Sequence, residues 1–402
     1  MTKGPVSIDQ AMDCLRRYIQ PLESEEVSLE GACCRVLRQP VFGDRDLPPF
    51  DRVMMDGIAV CYKRQANRWT ISGTQYAGDE QSSLTNSGDC VEIMTGSVLP
   101  AGADTVIPVE DYTVENEVVT LNIGVKVKKG QFVHKQGSVS RTGDCLIAPP
   151  VVLDGRHLAL CAGVGHTRLK VTRKPKVTFI STGNELVSPD SQPEGSQIRL
   201  TNDRLVSVEL HKLGIPLDQI HHLPDDRESI LDLLNRLKKE QDLIVFSGGV
   251  SKGRADFIAT CVWEAGFEVL FHGIRQKPGG PLLAARHPSG ALVLGMPGNP
   301  VSSLVCTRLY LRMALSILYG WPMQVRKVAI TGKTDFPGGK DRLLPVKLVE
   351  KGKLGTVARI VDPITSDNML GALNSDGFVR IPVIDPKETS KNRVFEYFDW
   401  TL

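Results

Sequence analysis

Four glycine-rich turns in the second half of the sequence constrain the fold more than any other feature. Each follows a short apolar run of β type, and in chain order they span 181–185, 247–256, 277–281 and 295–300. In a parallel sheet whose strands alternate with helices, the turns after the strands open at the carboxyl edge of the sheet, where such folds bind ligands. The sequence therefore predicts that the four turns line one pocket.

The chain around these turns alternates strand and helix patterns. The patterns predict strands near 176–180, 217–223, 242–246, 267–274 and 291–294, and helices near 201–213, 227–241, 257–262 and 300–319. The first helix is expected to begin at Thr201 or Asn202, and the last begins at Pro300, a residue favoured at the first helical position. This βα series predicts a central doubly wound parallel sheet.

The flanking segments have a different character. Residues 46–172 and 328–402 carry short β-branched runs broken by Gly, Asn and Asp, and no long helical period, so we expect both to be β-rich. A helix is predicted from Ser7 to about Tyr18, because Gln10 follows Ser7 at the spacing of a capping box.

Length and composition exclude several classes of protein. A chain of 402 residues suggests two to four domains, and a formal charge of +2 disfavours a nucleic-acid or membrane role driven by bulk charge. Nine cysteines without a CxxC pair suggest reduced thiols in the cytoplasm. No membrane span is expected, since Arg308 and Arg312 interrupt the most apolar helix.

The chemistry of the turns suits an anion. Consecutive glycines let backbone N–H groups approach a phosphate, and a helix that begins after Gly298-Asn299 presents free N–H groups and a positive end. One such loop alone is more often a simple turn, but four at one sheet edge favour binding. The candidate binding residues are Ser247, Gly248, Gly249, Ser251, Lys277, Pro297, Gly298, Asn299 and Pro300.

Carboxylates stand beside the same turns. Glu185 belongs to the first turn, Asp225-Asp226 follow the second strand, and Asp256 ends the double-glycine turn. Magnesium binds through one or two carboxylates together with phosphate oxygens, so these acids are candidate Mg²⁺ ligands. For Asp225 and Asp226, capping of the helix from Arg227 is an equally good interpretation.

Five motifs in order resemble one family. They are Leu47–Gly57 (LPPFDRVMMDG), Met94–Asp104 (MTGSVLPAGAD), the Ser-Thr-Gly-x-Glu turn, the Ser-Gly-Gly-Val-Ser-x-Gly-x-x-Asp turn and Gly-x-Pro-Gly-Asn-Pro-Val-Ser. Together they resemble the molybdopterin molybdenumtransferase (MoeA-type) family, which includes the E domain of gephyrin. The resemblance implies a homodimer of multidomain subunits: an N-terminal composite domain (1–45 plus 144–172), an inserted β-rich domain (46–143), an α/β molybdopterin-binding-like domain (173–322) and a C-terminal β-barrel (323–402).

The resemblance also implies a reaction in molybdenum cofactor biosynthesis. Adenylylated molybdopterin binds, molybdate enters as substrate, the adenylyl group is hydrolysed with Mg²⁺, and the dithiolene receives molybdenum. The upstream adenylyltransferase is a candidate partner. By match to the family motifs, the catalytic residues are Asp56, Thr95, Glu185 and Asp226, the metal ligands are Asp226 and Asp256, and Ser366 is a further substrate-binding residue. Asp56 and Thr95 would complete the cleft across the dimer.

Several positions depart from the family pattern. Gly280 replaces the second lysine of Lys-Pro-Gly-Lys-Pro, and Leu200 stands where an aspartate normally precedes Ser/Thr-Asn. Further departures are Asn184 before Glu185, Val53-Met54 for Ser-Ala, Ser138-Val139 for an acidic pair, Pro345 for an arginine and Ile364 for a glutamine. Either other groups such as Arg199, Lys252 or Arg275 compensate, or molybdate insertion is impaired.

Two alternatives to the transferase therefore stay open. One is a dimeric paralogue that binds a pterin or nucleotide phosphate without inserting molybdate. The other is a nucleotide-processing hydrolase built on the same α/β module.

Overall fold

A six-stranded sheet forms the centre of the second half of the chain. In spatial order its strands are Gln219–Leu223, Val177–Thr182, Leu243–Ser247, Leu292–Met296, Leu283–Arg286 and Glu268–His272. The first four strands are parallel. The computed structural model describes residues 5–63, 66–250, 257–321, 325–331, 339–352, 355–361, 369–383 and 394–400.

The sheet differs from the prediction in one strand. Leu283–Arg286 pairs antiparallel with Leu292–Met296, and Glu268–His272 pairs antiparallel with Leu283–Arg286, so the sheet is mixed. An antiparallel strand begins at the edge where its parallel neighbours end. The turn at 277–281, which precedes Leu283–Arg286, therefore still reaches the carboxyl edge of the parallel strands.

Helices cover both faces of this sheet. They are Asn202–Lys212, Arg227–Glu240, Ile258–Glu264 and a long helix made of Pro300–Cys306, a π turn at Thr307–Leu311, and Arg312–Tyr319. Gly320 ends the long helix in the left-handed conformation, with φ 77°. The predicted central α/β domain is thus present, with helix ends within two residues of the prediction.

The long helix is a core element. Residues Pro300–Tyr319 are long and apolar enough to cross a membrane, but 78% of the apolar window is buried inside the structure. The two arginines on this helix bind one acid: Nη1 of Arg308 lies 2.7 Å and Nη1 of Arg312 lies 3.0 Å from the carboxylate oxygens of Glu209. Buried charges of this kind require such pairing.

The amino-terminal helix Ile8–Tyr18 packs onto the α/β unit. The predicted capping box is confirmed, because Ser7 Oγ accepts from Gln10 N and Gln10 Oε1 accepts from Ser7 N. The buried face of the helix joins the same core as Val177, Phe179 and Leu315. The chain then enters a four-stranded sheet ordered Ser24–Ser28, Arg168–Thr172, Val36–Leu37 and Val151–Val152, beside the helix Gly155–Gly163.

The segment between those strands is β-rich, as expected. Its six-stranded sheet is ordered Thr105–Pro108, Gly57–Val60, Asp89–Ile93, Arg68–Gln75, Val118–Leu121 and Tyr112–Glu115. Two-stranded ribbons join Arg52–Val53 to Val133–His134 and Val41–Phe42 to Cys145–Ile147. Gly57 begins a central strand, where a Cβ would lie 2.0 Å from the carbonyl oxygen of Ile107.

The carboxyl-terminal strands close on themselves. Five strands form a barrel in the order Asp341–Gly352, Gly355–Ile360, Arg326–Thr331, Val394–Asp399 and Gly377–Ile381. The barrel is closed because Asp341–Gly352 pairs with Gly355–Ile360 on one side and with Gly377–Ile381 on the other. The predicted C-terminal β-barrel is confirmed. Gln276–Lys277 adds a short parallel strand at Asp341–Arg342, which ties the third glycine-rich turn to the barrel.

Candidate functional site

One cavity of about 410 Å³ lies at the carboxyl edge of the parallel strands. All four glycine-rich turns contribute to its lining, which consists of Thr182, Gly183, Glu185, Asp225, Gly248, Gly249, Val250, Pro281, Pro297, Gly298 and Asn299. The predicted shared pocket is therefore present. We call this cavity the cradle.

The double glycine of the second turn is required by close packing. Gly248 and Gly249 have φ of 96° and 63°, in the left-handed region. A Cβ on Gly248 would lie 2.6 Å from the carbonyl oxygen of Thr182, and one on Gly249 would lie 2.8 Å from Cγ1 of Ile258. Side chains here would strain the backbone and close the approach to the first turn. The turn is thus built from bare backbone, which suits contact with an anion.

Asn202 connects the second and the fourth glycine-rich turns. Its side chain is buried, and Nδ2 donates to Ser247 Oγ at 2.8 Å and to the carbonyl oxygen of Gly298 at 2.7 Å. Ser247, predicted as a ligand-binding residue, is itself buried and does not line the cradle. It positions the second turn by accepting from Asn202.

Two further groups at the cradle suit an anionic ligand. Thr182 is only 3% exposed, and its hydroxyl oxygen has no hydrogen-bond partner among the described residues. The long helix begins at Pro300, directly after Asn299 of the lining, so its first amides and its positive end lie at the cavity. A phosphate would provide acceptors for both.

The third turn is fixed by Gln276. This buried side chain donates through Nε2 to the carbonyl oxygens of Pro278 at 3.1 Å and Gly279 at 3.2 Å, and its Oε1 accepts from the hydroxyl of Tyr310. Gly279 packs against the long helix, so the turn reaches the cradle only through Pro281. Lys277 is exposed and is not among the residues that line the cavity.

The carboxylates divide between two tasks. Glu185 and Asp225 line the cradle. Asp226, predicted as catalytic residue and metal ligand, caps the helix Arg227–Glu240 instead: its Oδ2 accepts from Ser229 N at 2.8 Å and from Ser229 Oγ at 2.6 Å. These hydrogen bonds lower the pKa of Asp226. The structure therefore favours the capping interpretation for Asp226, and Asp225 is the acid that lines the cavity.

Asp56 and Thr95 form a pair in the β-rich segment. Both the backbone N–H and the hydroxyl of Thr95 donate to Asp56 Oδ1 at 2.6 Å, and these bonds lower the pKa of Asp56. Both side chains are exposed, and neither lines the cradle of its own subunit. The pair is thus a preformed, ionised carboxylate on the surface.

The predicted compensating cations are held elsewhere. Arg275 Nη1 donates to the carbonyl oxygen of Pro5 at 2.8 Å, and Arg199 Nε donates to that of Ser191 at 3.2 Å. The predicted residues Ser251, Lys252, Asp256, Ile364 and Ser366 lie outside the described residues. Within the described part of the chain, no cluster of three or more His, Cys, Asp or Glu side chains could hold a metal ion.

Comparison with known proteins identifies the family. Residues 6–165 match the model of the MoeA N-terminal region (domain I and II), and residues 178–316 match a probable molybdopterin binding domain. A molybdopterin molybdenumtransferase from Synechocystis is 33% identical over 94% of this chain and 95% of its own length. The chain belongs to the molybdopterin molybdenumtransferase family. The resemblance drawn from the five motifs is therefore confirmed.

Other members of the molybdopterin molybdenumtransferase family agree with this assignment. One from Synechococcus elongatus is 34% identical over 73% of this chain and 75% of its own. Two crystal structures of the molybdopterin biosynthesis MoeA protein of Pyrococcus horikoshii superpose with TM-scores of 0.78 and 0.79 at 29% and 25% identity, and each covers at least 98% of this chain and 99% of its own. The mixed sheet and the barrel thus belong to the architecture these proteins share.

Sequence reasoning missed three contributors to the cradle of this molybdopterin molybdenumtransferase. Asn202 was expected only as a possible helix start, and Gln276 was not singled out. Thr182 stood inside the first turn motif without a role. Asn202 and Gln276 act through hydrogen bonds to residues distant in sequence. Thr182 contributes a buried hydroxyl that has no hydrogen-bond partner among the described residues. Burial of a polar side chain next to a glycine-rich turn is the signal that would have found them.

Proposed function

We propose that this chain works in molybdenum cofactor biosynthesis, inserting molybdenum from molybdate into adenylylated molybdopterin while the adenylyl group is hydrolysed. The cradle carries this proposal: four turns and one helix start converge on a cavity of about 410 Å³ that is suited to a phosphate group. Its support from relatives is the name molybdopterin molybdenumtransferase, borne by proteins that match over nearly the whole chain. This whole-length match makes the two alternatives, a binding-only paralogue and a nucleotide hydrolase, less well supported.

The cradle residues would bind and orient the phosphate. The Gly248 N–H already donates to the carbonyl oxygen of Met296 at 3.1 Å. The backbone N–H groups of Gly249 and Gly298 are therefore the donors that the turns would offer, and the Thr182 hydroxyl adds one more. Because Asn202 connects the second and fourth turns, the donors are positioned before the ligand arrives. Preorganised donors stabilise developing negative charge without reorganisation at the moment of reaction.

Glu185 and Asp225 are the residues that would hold Mg²⁺, with Asp256 at the end of the second turn as the ligand expected from the family motif. Two carboxylates beside a phosphate cradle fit the preference of this ion for a few acids, phosphate oxygens and water. When bound, the ion would neutralise charge on the phosphate. Glu185 is exposed, so it could also orient the water that attacks the adenylyl phosphorus.

The Asp56–Thr95 pair supports a composite site in a homodimer. An exposed carboxylate kept ionised by two hydrogen bonds is suited to act on a ligand held by another surface. Because the pair does not line the cradle of its own subunit, we infer that it faces the cradle of the second copy. Sedimentation velocity at micromolar concentration should show a dimer, and a monomer would refute this part of the proposal.

Two further expectations concern the cellular location of the protein and its partner enzyme. We infer a cytoplasmic protein, since its nine cysteines are all free in the structure and the long apolar helix is a buried core element. The enzyme that adenylylates molybdopterin remains a proposed partner, because it would supply this substrate directly.

The experiment that tests the proposal measures AMP release from adenylylated molybdopterin with Mg²⁺, with and without molybdate. The expected result is molybdate-dependent release in the wild type and at least a hundredfold lower rate in Glu185→Gln. Glu228→Gln is the matched control, because Glu228 is an exposed acid on the helix Arg227–Glu240 and outside the cradle. Equal rates in both variants would refute the role of Glu185, and the absence of molybdate dependence in the wild type would refute the function.

A further inference from the structure

A second cavity, of about 340 Å³, adjoins the cradle along the chain. Its lining residues are Leu186, Val187, Ser188, Pro189, Leu200, Asp203, Arg204, Ile220 and His222. Glu185 lines the cradle and Leu186, the next residue, lines the second cavity. In the same way Asn202 holds the cradle turns while Asp203, the next residue, lines the second cavity. Consecutive residues of one loop and of one helix therefore serve the two cavities.

The walls of the second cavity are apolar, with one buried acid among them. Leu186, Val187, Leu200 and Ile220 provide hydrocarbon surface, which favours a flat ring system over a charged ligand. Asp203 is only 4% exposed, and its Oδ1 has no hydrogen-bond partner among the described residues. An unsatisfied buried carboxylate oxygen is costly, so a ligand that brings N–H donors to it is favoured.

Arg204 sets the direction in which a ligand would bind. Its Nε lies 3.5 Å from Asp203 Oδ2, which is longer than a hydrogen bond, and its side chain is 70% exposed. The guanidinium can therefore donate to a ligand. The neighbouring pair thus offers an acceptor and a donor side by side.

We propose that the second cavity binds the 2-amino-4-oxopyrimidine ring of the pterin, with Asp203 as the residue that determines specificity. In this ring an amino group, a ring N–H and a carbonyl oxygen stand in a row, which matches an acceptor at Asp203 followed by a donor at Arg204. The apolar walls would hold the faces of the ring. This inference rests on the proposed function, because it assigns the other end of the same substrate.

The experiment compares probes that differ by one amino group. Pterin and lumazine, its analogue with a carbonyl oxygen in place of the 2-amino group, are titrated into the full-length protein and followed by their own fluorescence. The wild type should bind pterin at least tenfold more tightly than lumazine, and Asp203→Asn should reduce this preference to less than twofold. Asp232→Asn, which removes an exposed acid outside the cavity, should leave the preference unchanged. A preference that is absent in the wild type, or unchanged in Asp203→Asn, would overturn the proposal.

Guanosine and inosine form a second probe pair, because guanine carries the same edge as pterin. Selective binding of guanosine without binding of pterin would overturn the pterin assignment in favour of a guanine nucleotide. If Asp203→Asn fails to fold, Ile220→Trp decides, since Ile220 is 50% exposed and a larger side chain there fills the cavity from its surface. Pterin affinity should fall at least tenfold in this variant, and an unchanged affinity would overturn the proposal.

The outcome is distinguishable from failure of the proposed function. If AMP release lacks molybdate dependence while the pterin preference depends on Asp203, the function fails and the binding site stands. If AMP release behaves as proposed while Asp203→Asn keeps the wild-type preference, only the assignment of the second cavity fails.

Discussion

Replacing Asn202 by alanine tests how the cradle is held together. In the native structure the Asn202 amide donates to Ser247 Oγ and to the carbonyl oxygen of Gly298, and the side chain is 5% exposed. The truncation leaves the buried Ser247 hydroxyl without this donor, and an unsatisfied buried group costs about 1–3 kcal/mol. Gly298 is exposed, so water can replace the donor at its carbonyl oxygen. We therefore expect the segments around Ser247 and Gly298 to lose about 1–3 kcal/mol of local stability.

Amide hydrogen exchange measures this loss where it occurs. At about 1.4 kcal/mol per factor of ten, exchange of peptides covering 243–250 and 292–299 should accelerate roughly 5- to 140-fold in Asn202→Ala. The barrel strands should exchange as in the wild type. Asn235→Ala is the matched control, because Asn235 is exposed and its Oδ1 accepts from Lys238 in a local contact. Exchange within threefold of the wild type in Asn202→Ala would refute the reasoning that this amide connects the turns.

Three other variants test separate parts of the account. Gly248→Ala should weaken pyrophosphate binding at least tenfold in calorimetric titration, because its Cβ would lie 2.6 Å from the carbonyl oxygen of Thr182; unchanged affinity would show that the turn does not contact the anion. Gly280→Lys should raise molybdate affinity by about 1.5–3 kcal/mol, or roughly tenfold or more, by restoring a charge-assisted contact. The new Cβ would lie 3.2 Å from the carbonyl oxygen of Gln276, so the side chain fits after a small shift. An unchanged affinity would show that other groups already bind the oxyanion. The Arg380 guanidinium holds the pKa of Asp9 below its ordinary value. The stability that this pair contributes is therefore complete above about pH 3.9 and is lost as the pH falls through the lowered pKa. In Asp9→Asn the free energy of unfolding should depend less on pH below about 3.9 than in the wild type, and an unchanged pH dependence would contradict the pairing.

The sequence was informative wherever structure depends on local pattern. The capping box at Ser7 and Gln10, the buried strand Val177–Thr182 and the helix that begins at Pro300 all correspond to patterns of residues within a short stretch of the sequence. The shared edge of the turns followed from a topological rule for parallel strands. These are features in which local preference and the global fold agree.

Long-range contacts decided what the sequence did not reveal. The strand Leu283–Arg286 was missed because its four residues follow a proline turn and carry no alternation of polar and apolar side chains. Its antiparallel direction depends on pairing with Leu292–Met296. Asp226 and Asp225 are equivalent in the sequence, and only the start of the helix Arg227–Glu240 assigns one to the cap and the other to the cradle.

Asn202 and Gly57 show the same limit at single residues. Asn202 looked like a helix start, but its amide reaches turns 45 and 96 residues away. Asp56-Gly57 looked like a turn, but Gly57 enters a central strand where only a residue without Cβ fits against Ile107. In both cases the constraint comes from a neighbour that the local sequence does not contain.

The most direct test of the central claim is a single-turnover reaction with adenylylated molybdopterin, molybdate and Mg²⁺. AMP release is followed together with the molybdenum that co-purifies with the pterin product. The account predicts about one molybdenum per AMP released, with both signals lost in Glu185→Gln and retained in Glu228→Gln. AMP release without incorporation of molybdenum, or equal incorporation in the two variants, would contradict it.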